Sequence, residues 1–480
     1  MLSQRTGRAK LDDVTRILSE LKTDLDVKKL SVEQRRQLLE QLKVYGRSVD
    51  NSDPIFTEDG LRTLGHHAFD GETTPAAQEA LRCIANALLL QPKTRQILVN
   101  LGHGPHAAEK LKVGNPAFES ENRAVLTYKQ EESIDTEFLA ARILFLTTYN
   151  ANLDYAQLVR ENQLVDSINA AITRHAKRYS KSAPRRNEQP MEAMALSETL
   201  KLLFNIIHHK QDLAPLFAPS IPNVFKILVR RGIPSPPLSG PTRELVNILL
   251  HLDIENEQGR EGLFPSFDGE VNIRHLIKIL DQALIVYPPK ELDETVTPLL
   301  TLIHRIYTVA PAEIASTMEK LLLPTTEERD RPLGKSDTLS SRLLNLSTSA
   351  LTPSLRNGIS MLLWKLSHED PATFVHNVGY GFASGFLMSN NIQMPEELVK
   401  EHAPESGDEG IPINPITGQR LDKEEQVQME PMTQEEKERE AERLFVLFER
   451  LKATGVMDVV NPVEEAYRSG RIQELSDDED

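Results

Sequence analysis

Apolar residues recur along this chain at intervals of three and four, the spacing that lines one face of an α-helix, in one segment after another. The first such pattern runs near Leu11 to Leu25. The second covers Ser31 to Val44, where Ser31-Val-Glu-Gln reads as an N-cap with Gln34 at the reciprocal position. Pro54 and the stretch from Gly60 to Pro75 mark the next breaks. From there a unit recurs: a cap or proline, a short helix, then a helix with a strong apolar face. Its clearest copies are EALRCIANALLL at 79–90, EFLAARILFLTT at 137–148, ETLKLLFNIIHH at 198–209, TRELVNILLHL at 242–252, TPLLTLIHRIY at 297–307 and RNGISMLLWKLS at 356–367. The copies lie about 40 to 60 residues apart, which fits armadillo or HEAT units carrying inserted loops. One insert covers Val113–Ser133 and another covers Lys177–Gln189. No stretch sustains the period-two alternation of β-branched residues that a strand needs. The expected fold is all-α, a superhelix of armadillo/HEAT-like repeats over residues 1–392.

After Gln393 the composition turns to acids, prolines and glycines, so 393–431 is expected to be an acidic, partly disordered linker. Residues 432–480 are expected to hold a C-terminal helix and an acidic tail. Thr433-Gln-Glu-Glu reads as a capping box, and Ala441, Leu444, Phe445, Leu447, Phe448 and Leu451 give the following helix an apolar stripe that must dock on something.

Composition narrows the class. Of 480 residues, 39% are hydrophobic, 26% charged and only 5% aromatic, ordinary values for a soluble protein packed by aliphatic side chains. The longest apolar runs, Ile143–Thr147 and Ala283–Tyr287, fall far short of the roughly 18 residues that cross a bilayer. The first residues, MLSQRTGRAKLDD, lack the apolar core of a secretory signal, so a cytoplasmic location is expected, with recruitment to the cell cortex or plasma membrane left open. The single cysteine, Cys83, excludes an internal disulfide and a multi-cysteine zinc site, and its apolar surroundings mark a core residue. A net charge of −16 argues against general binding to nucleic acid, which needs a basic face.

Under the apolar period runs a second one: Lys43-x-x-x-Arg47, Arg82-x-x-x-Asn86, Lys201-x-x-x-Asn205 and Arg243-x-x-x-Asn247. Residues four apart share a helix face, and equivalent positions of stacked repeats line up. These pairs therefore predict a ladder rich in Arg, Lys and Asn, suited to gripping a peptide by its backbone and carboxylates. The competing explanation is a solvated face with chance spacing. Arg142, between Phe138 and Phe145, is assigned to the same surface, with Leu146 where an Asn would stand.

Other candidates carry less. Gly379-Tyr-Gly381-Phe-Ala-Ser-Gly385 has the look of a nucleotide loop, but it lacks the Gly-Lys-Ser/Thr ending and a preceding strand, so a close-packed helix junction is the better explanation. His66, His67, His208 and His209 lack partners at metal-ligand spacing, and no Ser/His/Asp set or paired-carboxylate motif stands out. No bond-breaking chemistry and no cofactor are expected. The basic stretch Arg174–Arg186 suits a solvated loop, an anionic lipid contact or a nuclear signal. Ser406 and Ser476 each precede acids in the pattern read by casein kinase two.

Several segments together resemble the synembryn family of chaperones and guanine-nucleotide exchange factors for G-protein α subunits. They are LLEQLKVYGRSV at 38–49, ALRCIANALL at 80–89, ETLKLLFNI at 198–206, VGYGFASGFL at 378–387, INPITGQ at 413–419 and MTQEEKEREAERLFVLFERL at 432–451. The resemblance implies a right-handed superhelix whose concave face holds the C-terminal helix of Gα, with later repeats and the C-terminal region cradling its Ras-like domain. On the matching positions, Lys43, Arg47, Asn86 and Phe204 look like groove contacts, and the acidic segment around Ser406 like the family's phosphorylated stretch. The inserted loops resemble a fungal-type member. The expectation is thus a monomeric, non-enzymatic Gα chaperone and exchange factor; the alternative is an armadillo-type adaptor for other peptides. A basic ladder would favour acidic or carboxylate-ended partners.

Overall fold

The computed structural model describes residues 5–70, 74–112, 126–179, 189–393 and 412–424, with isolated positions at 433, 439, 443 and 446. The chain divides into two units, Met1–Leu421 and Asp422–Asp480. In chain order the helices are α1 (Gly7–Val27), α2 (Val32–Tyr45), α3 (Glu58–Phe69), α4 (Pro75–Leu90), α5 (Lys93–Asn100), α6 (His103–Leu111), α7 (Leu126–Thr147), α8 (Tyr155–Arg160), α9 (Leu164–Lys177) and α10 (Pro190–His209). They continue as α11 (Ile221–Arg231), α12 (Pro241–His251), α13 (Glu257–Leu263), α14 (Val271–Val286), α15 (Pro289–Val309), α16 (Ala312–Leu322), α17 (Leu339–Leu346), α18 (Pro353–Leu366), α19 (Pro371–Val378) and α20 (Tyr380–Ser389). Among the described residues there is no strand, only one antiparallel bridge between Ile413 and Arg420. No described helix is long and apolar enough to cross a membrane.

The starts of the repeat helices follow from local chemistry. α4, α10, α12, α15 and α18 each begin with proline, whose missing N–H falls where the helix has no acceptor for it anyway. α2 begins instead with the expected capping box: Gln34 N–H donates to Ser31 Oγ at 3.2 Å and Ser31 N–H donates to Gln34 Oε1 at 2.8 Å. All six repeat segments named from the sequence lie in these helices to within one residue at their C-terminal ends. The inserts are shorter than expected. α7 already begins at Leu126, and Lys177 is the last residue of α9.

Two layers result. α2, α4, α7, α10, α12, α15 and α18 each pack on the next and form one column, while α1, α3, α6, α9, α11 and α14 form a second column behind it. Leucine and isoleucine fill the space between, as in Leu81, Ile84, Leu144, Leu203, Ile248, Leu302 and Leu362, all fully buried. Cys83 belongs to this core, and burial pushes its thiol pKa up, away from reactivity. One buried charge spans the layers. Glu137 of α7, 1% exposed, accepts from Arg174 (2.6 Å) and His175 (2.8 Å) of α9 and from Thr199 (3.3 Å) of α10. Burial alone would raise its pKa; the charges and hydrogen bonds of His175 and Arg174 overcome that and hold it below the usual carboxylate range.

The segment expected to be a linker contains a bound loop. Residues 412–421 fold back on the last helices: Tyr380 and Gly381 N–H donate to the carbonyls of Pro415 (2.8 Å) and Ile416 (3.1 Å), and Leu333 N–H to Thr417 O (3.0 Å). Arg329, 8% exposed, donates to Gly418 O and to Asn377 O, both at 3.1 Å. Asn414 Oδ1 accepts from the amides of Ile416 and Thr417 and so shapes the turn. The glycine-rich motif at 379–385 is therefore a junction, as expected. Gly379 has φ +79°, and a side chain there would press on Ile416 O. Apart from the isolated positions 433, 439, 443 and 446, the expected C-terminal helix and tail, with Ser476, and the segment holding Ser406 lie outside the described residues.

Two outcomes are expected. Gly418 has φ +67° and faces Leu333, whose Cδ1 would lie 2.3 Å from an added Cβ. Gly418→Val should therefore release the loop, with faster hydrogen exchange at the amides of Leu333, Tyr380 and Gly381 and little change in α2 to α10. The second concerns acid. His103 packs on Phe69 and against Gly65, and its pKa falls from 6.5 to about 4, chiefly by burial and then by the charges of His106 and His66. The unfolded chain binds more protons between these values, so stability is fully present above about pH 6.5 and falls as pH drops toward 4, by up to about 3 kcal/mol from this group. His67, His275, His304 and His376 shift the same way. Urea unfolding at pH 7 and pH 5 should show the loss, with a shallower slope for His103→Asn.

Candidate partner-binding face

Of the cations in the ladder expected from the sequence, Lys43, Arg82, Arg142 and Lys201 are already engaged by carboxylates. Lys43 of α2 meets Glu79 of α4 at 2.6 Å, and Glu79 also holds Arg82 at 2.7 Å. Arg82 reaches on to Asp135 of α7 at 2.5 Å. Arg142 of α7 and Lys201 of α10 share Glu198 of α10, at 3.0 and 2.7 Å. Glu244 of α12 stands next in line: burial pushes its carboxyl pKa up, and the nearby charges of Lys201 and Arg243 offset part of that. The same contest raises Asp135, where burial outweighs Arg82. The face alternates in sign, so the expectation of a basic surface is corrected. The reason is physical: half-buried cations on stacked helices need counter-charges, and the next helix supplies them.

The ten predicted contact residues sort accordingly. Lys43, Arg82, Arg142 and Lys201 are paired across or along the column. Asn205 is buried and donates to Thr148 Oγ1 at 2.6 Å, so it ties α10 to the end of α7 instead of facing outward. Arg47 lies beyond the end of α2, in the turn after Tyr45, and so does not share a helix face with Lys43; it is exposed and forms no ion pair with a described residue. Arg243 is also exposed and without an ion pair, and Asn86 and Asn247 are half-buried with no side-chain hydrogen bond to a described residue.

A strip of rings runs beside the charges. Arg142 lies 5.7 Å from the Phe138 ring and Lys201 Nζ 5.3 Å from that of Phe145. Phe145 meets Tyr149 edge-on at 5.3 Å; Phe204 stacks on His208 and meets His251 of α12 at 4.7 Å. Leu89 of α4 and Tyr149 are exposed, and Phe145 and Phe204 half-buried. Sequence reasoning missed Tyr149 and His251 and all four acids. The signal was present: Leu89, Phe145 and Phe204 each follow a ladder residue by three, and Glu79 and Glu198 each precede one by three. His66 bonds Asp70 and His67 bonds Leu21 O, so these two serve packing.

An all-helical repeat array with a continuous polar and aromatic face on one column is the architecture of a protein that holds another macromolecule. The chain matches the family model of the guanine nucleotide exchange factor synembryn over residues 38–471, and it belongs to that family. It is 26% identical over 423 residues to a synembryn-like chaperone of Schizosaccharomyces pombe, covering 82% of this chain and 76% of that one. It is 25% identical over 401 residues to chaperone Ric-8A of Bos taurus, covering 78% and 71%, and 24% identical over 488 residues to chaperone Ric-8A of Gallus gallus, covering 92% and 87%. Membership supports a role as chaperone and exchange factor for G-protein α subunits, one that calls for no bond-breaking chemistry. Since the ladder is self-neutralised, its charge no longer separates this role from that of an adaptor; the family match does.

Glu198 carries the ladder's sharpest test of structure. Glu198→Ala leaves two cations without their shared carboxylate and should cost roughly 3 kcal/mol in urea unfolding. Lys201→Ala, which leaves Arg142 on Glu198, should cost clearly less.

Proposed function

We propose that the chain binds G-protein α subunits by seating their C-terminal helix on the α2 to α12 face, and that this serves both folding and nucleotide exchange. The observation that carries the reading is the apolar strip of Leu89, Phe145, Tyr149 and Phe204 beside uncommitted donors at Arg47, Asn86, Arg243 and Asn247. An amphipathic helix needs such a pairing: rings and aliphatics for its apolar side, amides and guanidinium groups for its polar side and its terminal carboxylate.

Exchange then follows from linkage. If the face holds the partner's helix only when that helix has left its place in the partner's own core, binding favours the open, nucleotide-free form. GDP leaves, GTP enters, and the closed form dissociates. A nascent α subunit that has not yet closed around nucleotide presents the same form, so one surface escorts folding and promotes exchange.

The test is to mix the purified chain with a GDP-loaded α subunit and to follow uptake of a GTP analogue together with complex formation. Acceleration and a nucleotide-free complex are expected; neither with any α subunit of the same organism would sink the reading. Arg47→Glu combined with Asn86→Ala should weaken the complex on the order of tenfold or more while helicity and melting stay unchanged. Unchanged affinity would mean that the helix sits elsewhere.

A further inference from the structure

The second column carries a feature that the α-subunit reading does not use. Side-chain bonds fix the register of its successive helices. Asn169 of α9 bonds Ser220 and Leu216 O, just before α11, and Asn223 of α11 donates to Thr173 of α9 at 3.0 Å. The half-buried His275 of α14 faces the backbone of Leu228 in α11, and Asn272 donates to Gly262 O beside Pro222. α16 continues beyond the column as defined above: Ile314 lies against Gly269, and Thr317 donates to Glu270, at the start of α14, at 2.6 Å. These helices therefore run side by side in one direction. Counted along them, Lys177, Lys226, Arg230, Arg274, Lys278 and Lys320 fall within one band about two turns deep.

All six are exposed except Lys226, which is half-buried. Of these cations only Arg274 has an ion pair with a described residue, Glu270. Asp281, further along α14, is tied to Arg342, and Glu319, next to Lys320, accepts from Tyr307. Among the described residues of the basic stretch singled out in the sequence, Arg174 and Arg178 are spent on Glu137 and Glu192, and Lys177 joins cations from three other helices. On a chain of net charge −16, such a band is a local reversal of sign. Two turns beyond Lys278, at the end of α14, Ile285 and Val286 stand 61% and 49% exposed.

We infer that this band docks on an anionic lipid surface. Cations spread over four helices meet a layer of headgroup charge, each contributing about 1 kcal/mol near such a surface. The exposed isoleucine and valine beside them favour a bilayer over an acidic protein, since they give the contact an apolar component that enters the headgroup boundary. The docking face lies on the column opposite the partner-binding face, so one contact leaves the other open.

The test is co-sedimentation of the full chain with phosphatidylcholine vesicles, with and without phosphatidylserine, at low and physiological salt. Binding is expected only with phosphatidylserine, and weaker at the higher salt. Lys226→Glu, Arg230→Glu and Lys278→Glu together should lower partitioning on the order of a hundredfold. Ile285→Ser with Val286→Ser should lower it less, and Arg47→Glu, on the other column, should not change it. Circular dichroism checks the fold, and should the triple variant unfold, the salt dependence of the parent and the single Lys278→Gln variant decide. Absence of binding, equal binding to uncharged vesicles, wild-type binding by the folded triple variant, or binding to polyglutamate without binding to vesicles would each overturn the inference.

Discussion

Everything on the front column depends on how its helices share charge. In a stacked array each repeat meets only its neighbours, so register has to be fixed at every interface in turn. Aliphatic packing alone fixes it loosely, because one leucine ridge fits several grooves. A buried carboxylate is less tolerant. Glu79 accepts Lys43 from one helix and Arg82 from its own, and Glu198 does the same for Arg142 and Lys201. Displacing either helix by one turn would strand a charge, at a cost well above the net worth of the pair. Glu137 extends the constraint to the second layer through Arg174, His175 and Thr199.

Much of this was legible in the sequence, and the limits have a physical pattern. Apolar period, proline starts and the Ser31 capping box are local, and they located the repeat helices correctly. Lys43, Arg82, Arg142 and Lys201 were recognised as one surface because their spacing within a helix is also local. Their partners were not, since Asp135 meets Arg82 across 53 residues of chain and Glu198 meets Arg142 across 56. Asn205 was placed on the face for its residue type, yet Thr148 draws it inside. Likewise the glycine motif at 379–385 and the turn at 413–419 were each conspicuous, but that they are two halves of one structure is written in no local period.

The distribution of charge also divides labour between the layers. The front face is close to neutral where the cations are shared, so selectivity there rests on shape and rings, with few groups left to pair. Long-range attraction belongs instead to the band on α9, α11, α14 and α16, where Lys177, Lys226, Arg230, Lys278 and Lys320 form no ion pair with a described residue.

The loop at 412–421 has a consequence for synthesis. Arg329 and the amides of Leu333, Tyr380 and Gly381 find their acceptors only in residues that leave the ribosome later. Until Pro415 to Gly418 emerge, the last repeats present a buried guanidinium with an unmet donor and an open end to the stack. The end of the array can therefore close only once these residues have been made, and until then its final helices expose an apolar end of the kind that invites misassembly.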